Sequence, residues 1–557
     1  MYESPISLKE TCLDVICNNI YTYIGHQTIA KNGLTTNKKG CDDERTDKRY
    51  KFRDSDIFLV NTISERLMEK MLEKRILCDA TLNIFSARNT ILKTVKIKNC
   101  KVTKGGLEIL KQHKIIDLEI VNLKNVSLSD ILDCLGDWTL QNLVKANFAR
   151  STFTDTFRYS FVTKLTSLKS LKSLNLSYTD LNQSTFKTIC ESLCNLEHVD
   201  ISGTQVRDLK PLCLLSEKLV TLTICDSIDA IEHMILTLKH LKALKLLDVS
   251  LSTVQLDAQE LIVMRPIILQ LLNRESLIPN LTSLNISGWK EVVHRESLLT
   301  FIKNHPKLTF LGIVLNDVTL ESAFCDPTDS NYVHNIKIAG LGNEEQIKVT
   351  LQCYKEDAKY VHKALNHLFQ LTSPFSKARP DILKLVLSLM EAHSERSRVQ
   401  IAATACFFAL TRGGQSKKIH LKLLSEGVNL ILHAMESFPD ELDLQRISLF
   451  TLYNRWILQE AQFDRHRCAR LVVHTLGSFE DAGITRMAEA ICDILSSKII
   501  EGISNISNSV MTMKYPKSSE VIFRPKRKKC ESSVKNRDKN YINGTEQLSS
   551  LTSAFEP

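Results

Sequence analysis

Leu168-Lys-Ser-Leu171-Lys-Ser-Leu174-Asn-Leu176-Ser-Tyr-Thr179-Asp-Leu181 sets how this chain is read. Its apolar positions follow the order LxxLxxLxLxxTxL. A second copy follows 25 residues on, as Leu193-Cys-Asn-Leu196-Glu-His-Val199-Asp-Ile201-Ser-Gly-Thr204-Gln-Val206. Taking the central apolar residue as the anchor, Leu174 and Val199 extend downstream to Leu222, Leu247, Leu284 and Leu311. Weaker copies lie upstream at Val95, Leu118 and Ala146. A fixed period of this length marks a repeat array and is sought before any other fold signal. The physical basis is that a short strand puts alternate residues on one face, a return element brings the chain back, and each unit buries its apolar face against its neighbours. The step of 37 residues from Leu247 to Leu284 implies an insertion, and Leu256 to Leu277 reads as a lengthened helix.

Beyond Ile313 the period changes. Residues 316–343 read as a junction, with strand-like Val333 to Ile338. From Glu344 the apolar spacing is helical: Ile382, Leu383, Val386, Leu389 and Met390, then Val399, Ala402, Ala403, Cys406, Phe407 and Leu410. Small residues at helix contacts suit stacked helical repeats of the armadillo kind. Further helices are expected at Leu421 to Phe438, Leu442 to Ile457, Arg465 to Leu476 and Thr485 to Ile499, with Gly413-Gly414 as an interhelical turn. The predicted fold class is therefore an α/β leucine-rich-repeat solenoid (91–315) followed by an all-α armadillo-like helical domain (344–500). Residues 501–557, rich in Ser, Asn and Lys, read as a disordered tail. Within it Lys526, Arg527, Lys528 and Lys529 form a basic run of the kind that directs nuclear import.

Composition narrows the function classes. At 43% hydrophobic and 24% charged over 557 residues the chain can bury a large core. A net charge of +9 spread over that length is no signature of nucleic-acid binding. The first residues carry Glu3, Lys9, Glu10 and Asp14 rather than an apolar signal core, and no run of apolar residues reaches membrane-spanning length. The 16 cysteines follow no disulfide framework, and Cys190 and Cys194 lack the partner pair that a zinc site needs. These features point to cytoplasm, nucleus or both, with no membrane or nucleic acid as partner. No phosphate loop, HExxH or GxSxG element occurs, so the chain reads as non-enzymatic, with no cofactor and no metal.

Residues 1–90 read as N-terminal helices, with 27–53 as a flexible loop. Leu8, Cys12 and Ile16 are spaced four apart and share one helical face. Ser7 and Glu10 are placed to form a capping box. A large aliphatic, a small thiol and a β-branched residue on one face suit insertion into a partner's groove. This is the pattern of the box by which cullin-RING substrate receptors bind elongin C.

From here the sequence resembles the Zyg-eleven/Zer-one substrate receptors of cullin-two ubiquitin ligases. The order of segments agrees, and so do the words Leu238-Lys-His-Leu241, Leu247-Asp-Val-Ser250, Ile278-Pro-Asn-Leu-Thr-Ser-Leu284-Asn-Ile-Ser-Gly288, Ile382-Leu-Lys-Leu-Val386, Leu442-x-Leu-Gln445 and Arg486-Met-Ala488. The resemblance implies a substrate-recognition subunit that binds elongin C (with elongin B) and cullin-two and recruits protein substrates for ubiquitination. It implies that Leu8, Cys12 and Ile16 contact elongin C, and that Leu59, Val60, Ile63 and Leu67 form the cullin-selecting segment. The family favours proline where Val60 stands. Its pocket for substrate N-termini, commonly glycine, is built from helices beyond the pattern seen here. The array is thus expected to be C-terminally shortened, and no degron-binding residue is carried over. The alternative is a non-catalytic scaffold or nuclear-transport adaptor.

Overall fold

The computed structural model describes residues 8–27, 49–153, 158–252, 257–275, 277–372 and 377–510. It divides into two compact units, up to Ile338 and from Ala339 onward.

The first unit holds nine whole strands of a ten-stranded parallel sheet that, among the described residues, follows chain order. The nine anchors from Val95 to Leu311 stand side by side in register from strand to strand. Each is buried, and from Val95 to Leu247 each lies between two more exposed neighbours, as strand alternation requires; at Leu284 and Leu311 the following residue is buried as well. The tenth strand is Lys337–Ala339, shorter and later than the expected Val333 to Ile338.

Repeat length sets the return element. The short step from Val199 to Leu222 is spanned by the 3-10 helix Lys210–Leu215. Steps near 25 residues carry α-helices such as Gln183–Ser192 and Ile228–Leu238. The long step before Leu284 holds Ala258–Asn273, a 16-residue helix with Pro266 inside. The turn after each strand recurs too. Four residues past the anchors, Asn99, Asn122, Arg150, Tyr178, Gly203, Asp226, Gly288 and Leu315 all have positive φ. At Gly288 the space is also needed, since a β-carbon there would lie 2.0 Å from the Leu251 carbonyl oxygen.

One residue past the anchor, a side-chain oxygen caps the strand end. Asn147, Asn175, Asp200, Asp248 and Asn285 each accept a hydrogen bond from the backbone N–H two residues on. The amide groups of Asn175 and Asn285 also donate across the sheet to Asp200 and Asp248 at 2.9 and 2.8 Å. Burial pushes both aspartates' carboxyls up, while the serine hydrogen bonds oppose it.

The segment expected as a loop at 27–53 is corrected at its ends. Ile24–Gln27 pairs antiparallel with Arg49–Phe52, with Ile24 opposite Phe52. Both of those residues are buried, and Tyr50 packs against Tyr21 and His26. The alternation Tyr50, Phe52 supplies an inward face that a count of polar residues conceals.

The second unit is helical: Glu344–Cys353, Ala358–Leu371, Pro380–Ala392, Ser397–Thr411, Leu421–Ser437, Leu442–Leu452, Arg455–Glu460, Arg465–Ser478 and Ala482–Val510. Ala402, Ala403 and Cys406 are fully buried, and Gly427 approaches Phe407 so closely that a β-carbon would lie 2.0 Å from its ring. The single helix expected over Leu442 to Ile457 is two. Asn454 breaks it, its side chain accepting from the N–H groups of Trp456 and Ile457 and donating to the Thr411 carbonyl. The last helix passes the expected end near Ile500, because Ile503, Ile506 and Val510 keep a helical spacing.

Candidate docking site

The N-terminal helix, Leu8–Asn18, has two apolar stripes. Leu13 and Cys17 continue into Ile20 at i, i+4 and i+7, and all three are buried in the core of the first unit. Leu8, Cys12 and Val15 lie on another face and are exposed, Leu8 by 80%. Ile16 straddles the two: it is half-buried and touches the core. Of the expected box residues, Leu8 and Cys12 thus lie off the face that holds the helix down, and Ile16 lies at its margin. An exposed leucine alone needs no explanation, but a helical stripe of apolar residues left over after the core is satisfied is a candidate contact surface.

The second helix, Asn61–Glu73, buries Ser64, Leu67, Met68 and Met71. Leu67 is only 2% exposed, so of the four expected cullin-contact residues it belongs to the core. Leu59 and Ile63 are half-buried, and Val60 is 48% exposed. Val60 stands just before the helix with φ −67° and ψ 159°, within the range a proline ring imposes. The Ser64 hydroxyl donates to the Leu59 and Val60 carbonyls, closing this corner. The Leu59 N–H donates to the Asn89 carbonyl, and the Leu59 carbonyl accepts from the Ile91 N–H.

A charged ladder joins the helices. Arg66 binds Glu10 through two bonds, Nε to Oε1 at 2.9 Å and Nη2 to Oε2 at 3.0 Å. Lys70 binds Asp14 at 2.8 Å, and Lys74 donates to Asn18 at 2.9 Å. Each rung joins residues 56 apart, so the helices run parallel in a single register. The Arg66 guanidinium, helped by Lys70, holds the Glu10 carboxyl down at about 2. Asp14 is lowered chiefly by its bond from Lys70. Burial disfavours the charge on Lys70, but the two carboxylates outweigh it and its pKa rises. Glu10 is thus engaged with the second helix; Ser7, its expected capping partner, lies outside the described residues.

The ladder continues to the sheet. Arg66 Nη1 also meets Glu69 and Glu73, and Glu69 accepts from Lys96 on the first strand at 3.0 Å. Glu65 accepts from the Lys93 and Thr94 N–H groups, both at 2.9 Å. These charged residues escaped the sequence reading. The signal was present: Glu10, Asp14 and Asn18 repeat every four residues, as do Arg66, Lys70 and Lys74, and matched i, i+4 rows make complementary ridges.

Elsewhere, no cluster of three or more metal-ligating side chains occurs among the described residues. No described helix is long and apolar enough to cross a membrane. His113, in the segment between the first two strands of the parallel sheet, is buried. It donates from Nε2 to the Phe85 carbonyl at 2.7 Å and accepts at Nδ1 from the Leu92 N–H. Lys526, Arg527, Lys528 and Lys529 lie outside the described residues.

Comparison with known proteins adds relatives. Residues 388–514 match the family model described as Protein zer-1 homolog-like, C-terminal domain. The chain is similar to Protein zer-1 homolog of Homo sapiens, 23% identical over 548 residues, covering 89% of this chain and 66% of that protein. Protein zer-1 homolog of Drosophila melanogaster is 22% identical, covering 89% and 62%. Zyg eleven-related protein 1 of Caenorhabditis elegans is 28% identical over 302 residues, covering 52% and 32%. The chain spans less than two thirds of the length of these relatives. The resemblance to the Zyg-eleven/Zer-one family read from the sequence is borne out.

Proposed function

We propose that this chain is a substrate-recognition subunit of a cullin-RING ubiquitin ligase, with its N-terminal helix docked on elongin C. The observation that carries this reading is the division of labour on Leu8–Asn18. Leu13 and Cys17 secure the helix, leaving Leu8 and Cys12 exposed, with Ile16 at the margin. A helix that buries one stripe internally and offers a second to a groove is a common mode of peptide recognition. The start of the second helix, with Leu59, Val60 and Ile63 accessible in part, is the segment assigned to cullin-two, and Leu67 acts from within the core. The proline-like backbone at Val60 supports this assignment despite the substitution.

The two units are proposed to be a leucine-rich-repeat array and an armadillo-like array, acting as the surfaces that take protein substrates. Parallel strands with in-register anchors support the first. For the second, Gln400 donates to the carbonyls of Met390 and His393, and Gln445 donates to those of Met435 and Phe438. The same bond pattern recurs after 45 residues, within the period of such repeats.

The test is affinity purification of the full chain and of Leu8→Asp. The wild type is expected to recover elongins B and C with a cullin, and Leu8→Asp to lose them. Undiminished elongin recovery with Leu8→Asp would reject the assignment.

A further inference from the structure

We infer that Arg66 is a positioning residue: its two-bond pair with Glu10 fixes the register of the two N-terminal helices, presenting Leu8–Ile16 and Leu59–Ile63 as one composite surface. The inference rests on the docking role proposed above for those segments.

The argument starts from an ambiguity in the ladder. Besides its rung to Asp14, Lys70 reaches Glu10 at 3.2 Å, and besides its rung to Asn18, Lys74 reaches Asp14 at 3.6 Å. Those contacts join residues 60 apart and belong to a register shifted by one turn. Lysine is a point charge on a flexible stem and can serve either register. A slip of four residues would carry one helix about 6 Å along the other while leaving the lysines paired.

Arg66 does not share this tolerance. Its planar fork meets both Glu10 oxygens in one geometry, which a sliding helix would break. The fork is itself oriented, because Nη1 is held by Glu69 and Glu73, and Glu69 is held by Lys96 on the first strand. The register is therefore referred to the sheet.

The consequence for docking is geometric. In the 56-residue register Leu8 is level with Ser64, so both candidate segments begin at the same end of a parallel pair. Lys9, whose ammonium donates to the Thr62 carbonyl at 3.1 Å, ties that end together. Two partners engaging both segments at once need this spacing, whereas a partner gripping the first helix alone does not.

The test compares wild type, Arg66→Lys, Glu10→Gln and Leu8→Asp. Each full chain is titrated with elongin B–C, and each resulting complex with cullin-two. Arg66→Lys keeps the charge and loses the fork, and Glu10→Gln removes the carboxylate that the fork grips. Both are expected to leave elongin B–C affinity essentially unchanged and to lower cullin-two affinity about tenfold, a modest coupling between sites. Unchanged cullin-two affinity in both variants, or equal loss of both affinities, would overturn the inference. Elongin binding retained by Leu8→Asp would instead defeat the underlying reading. In that case hydrogen exchange of the free chains decides the clamp: faster exchange at 8–18 in Arg66→Lys supports it, and unaltered exchange rejects it.

Discussion

His113 shows what single residues contribute and what the sequence hid about them. A scattered histidine on a repeat protein reads as surface, yet this one closes a gap between the first two repeats, with both ring nitrogens paired to backbone. The tautomer follows from its partners, a carbonyl on one side and an N–H on the other. Removing the ring strands two buried backbone groups. His113→Ala should therefore cost about 1–3 kcal/mol, read as a lower denaturant midpoint at constant slope. An unchanged midpoint would mean that water replaces the ring. Leu8, Cys12 and Ile16, by contrast, were legible as a face, because helical geometry alone places them together. Which side of the helix faces inward was not legible, since Leu13 and Cys17 make an equally good stripe. Leu67 illustrates the same limit: periodicity marks it as apolar, and only packing distinguishes a core residue from a contact.

At the scale of elements, strands were easier to find than the devices that end them. The anchors were visible because leucine, isoleucine and valine recur at a fixed step. The side-chain caps at Asn147, Asn175, Asp200, Asp248 and Asn285 are drawn from two residue types and are missing at Glu119, Thr223 and Gly312, so no single recurring letter marks them. The split at Asn454 was hidden because an asparagine inside an apolar pattern reads as a surface position until its side chain caps a new helix. The pairing of the first two helices also belongs to this scale, and it makes the pair acid-sensitive. Glu10 is held at about 2, below a carboxyl's usual 4.5. A depressed pKa in the folded state gives stabilisation that is complete above 4.5 and is lost as pH falls toward 2. The groups facing Glu10 across the pair are Arg66 and Lys70, both cationic throughout that range. Hydrogen exchange at residues 8–18 should therefore hold steady down to about pH 4.5 and accelerate below it, beyond the intrinsic change of exchange with acidity. A steady protection down to pH 2 would show that the apolar stripe alone secures the helix.

For the whole molecule, the architecture is close to one-dimensional in its first unit, and damage should spread accordingly. Each strand pairs only with its neighbours in chain order. Truncating a buried anchor, Leu247→Ala, should cost about 2–5 kcal/mol. In a repeat array that loss falls on adjoining units, so amides of Thr221–Thr223, Leu246–Asp248 and Ser283–Asn285 should exchange faster. Thr94–Lys98 should keep its protection, and a uniform rise across the sheet would show instead that the unit unfolds as one. The order of these strands was readable from nine anchors. The parallel pairing of two helices before them was not, because two rows of charges at i, i+4 spacing show that each helix has a charged ridge without showing which ridges meet. That separation also has a consequence in time. During synthesis at ~5–20 residues per second, the first helix leaves the ribosome roughly 3–11 s before Arg66 does. For those seconds both of its apolar stripes are open, and the one that the core later buries through Leu13 and Cys17 is as bare as the one that stays exposed. The nascent first helix is thus a temporary site for a chaperone, and the charged rungs that set it against its neighbour can form only when the second helix arrives.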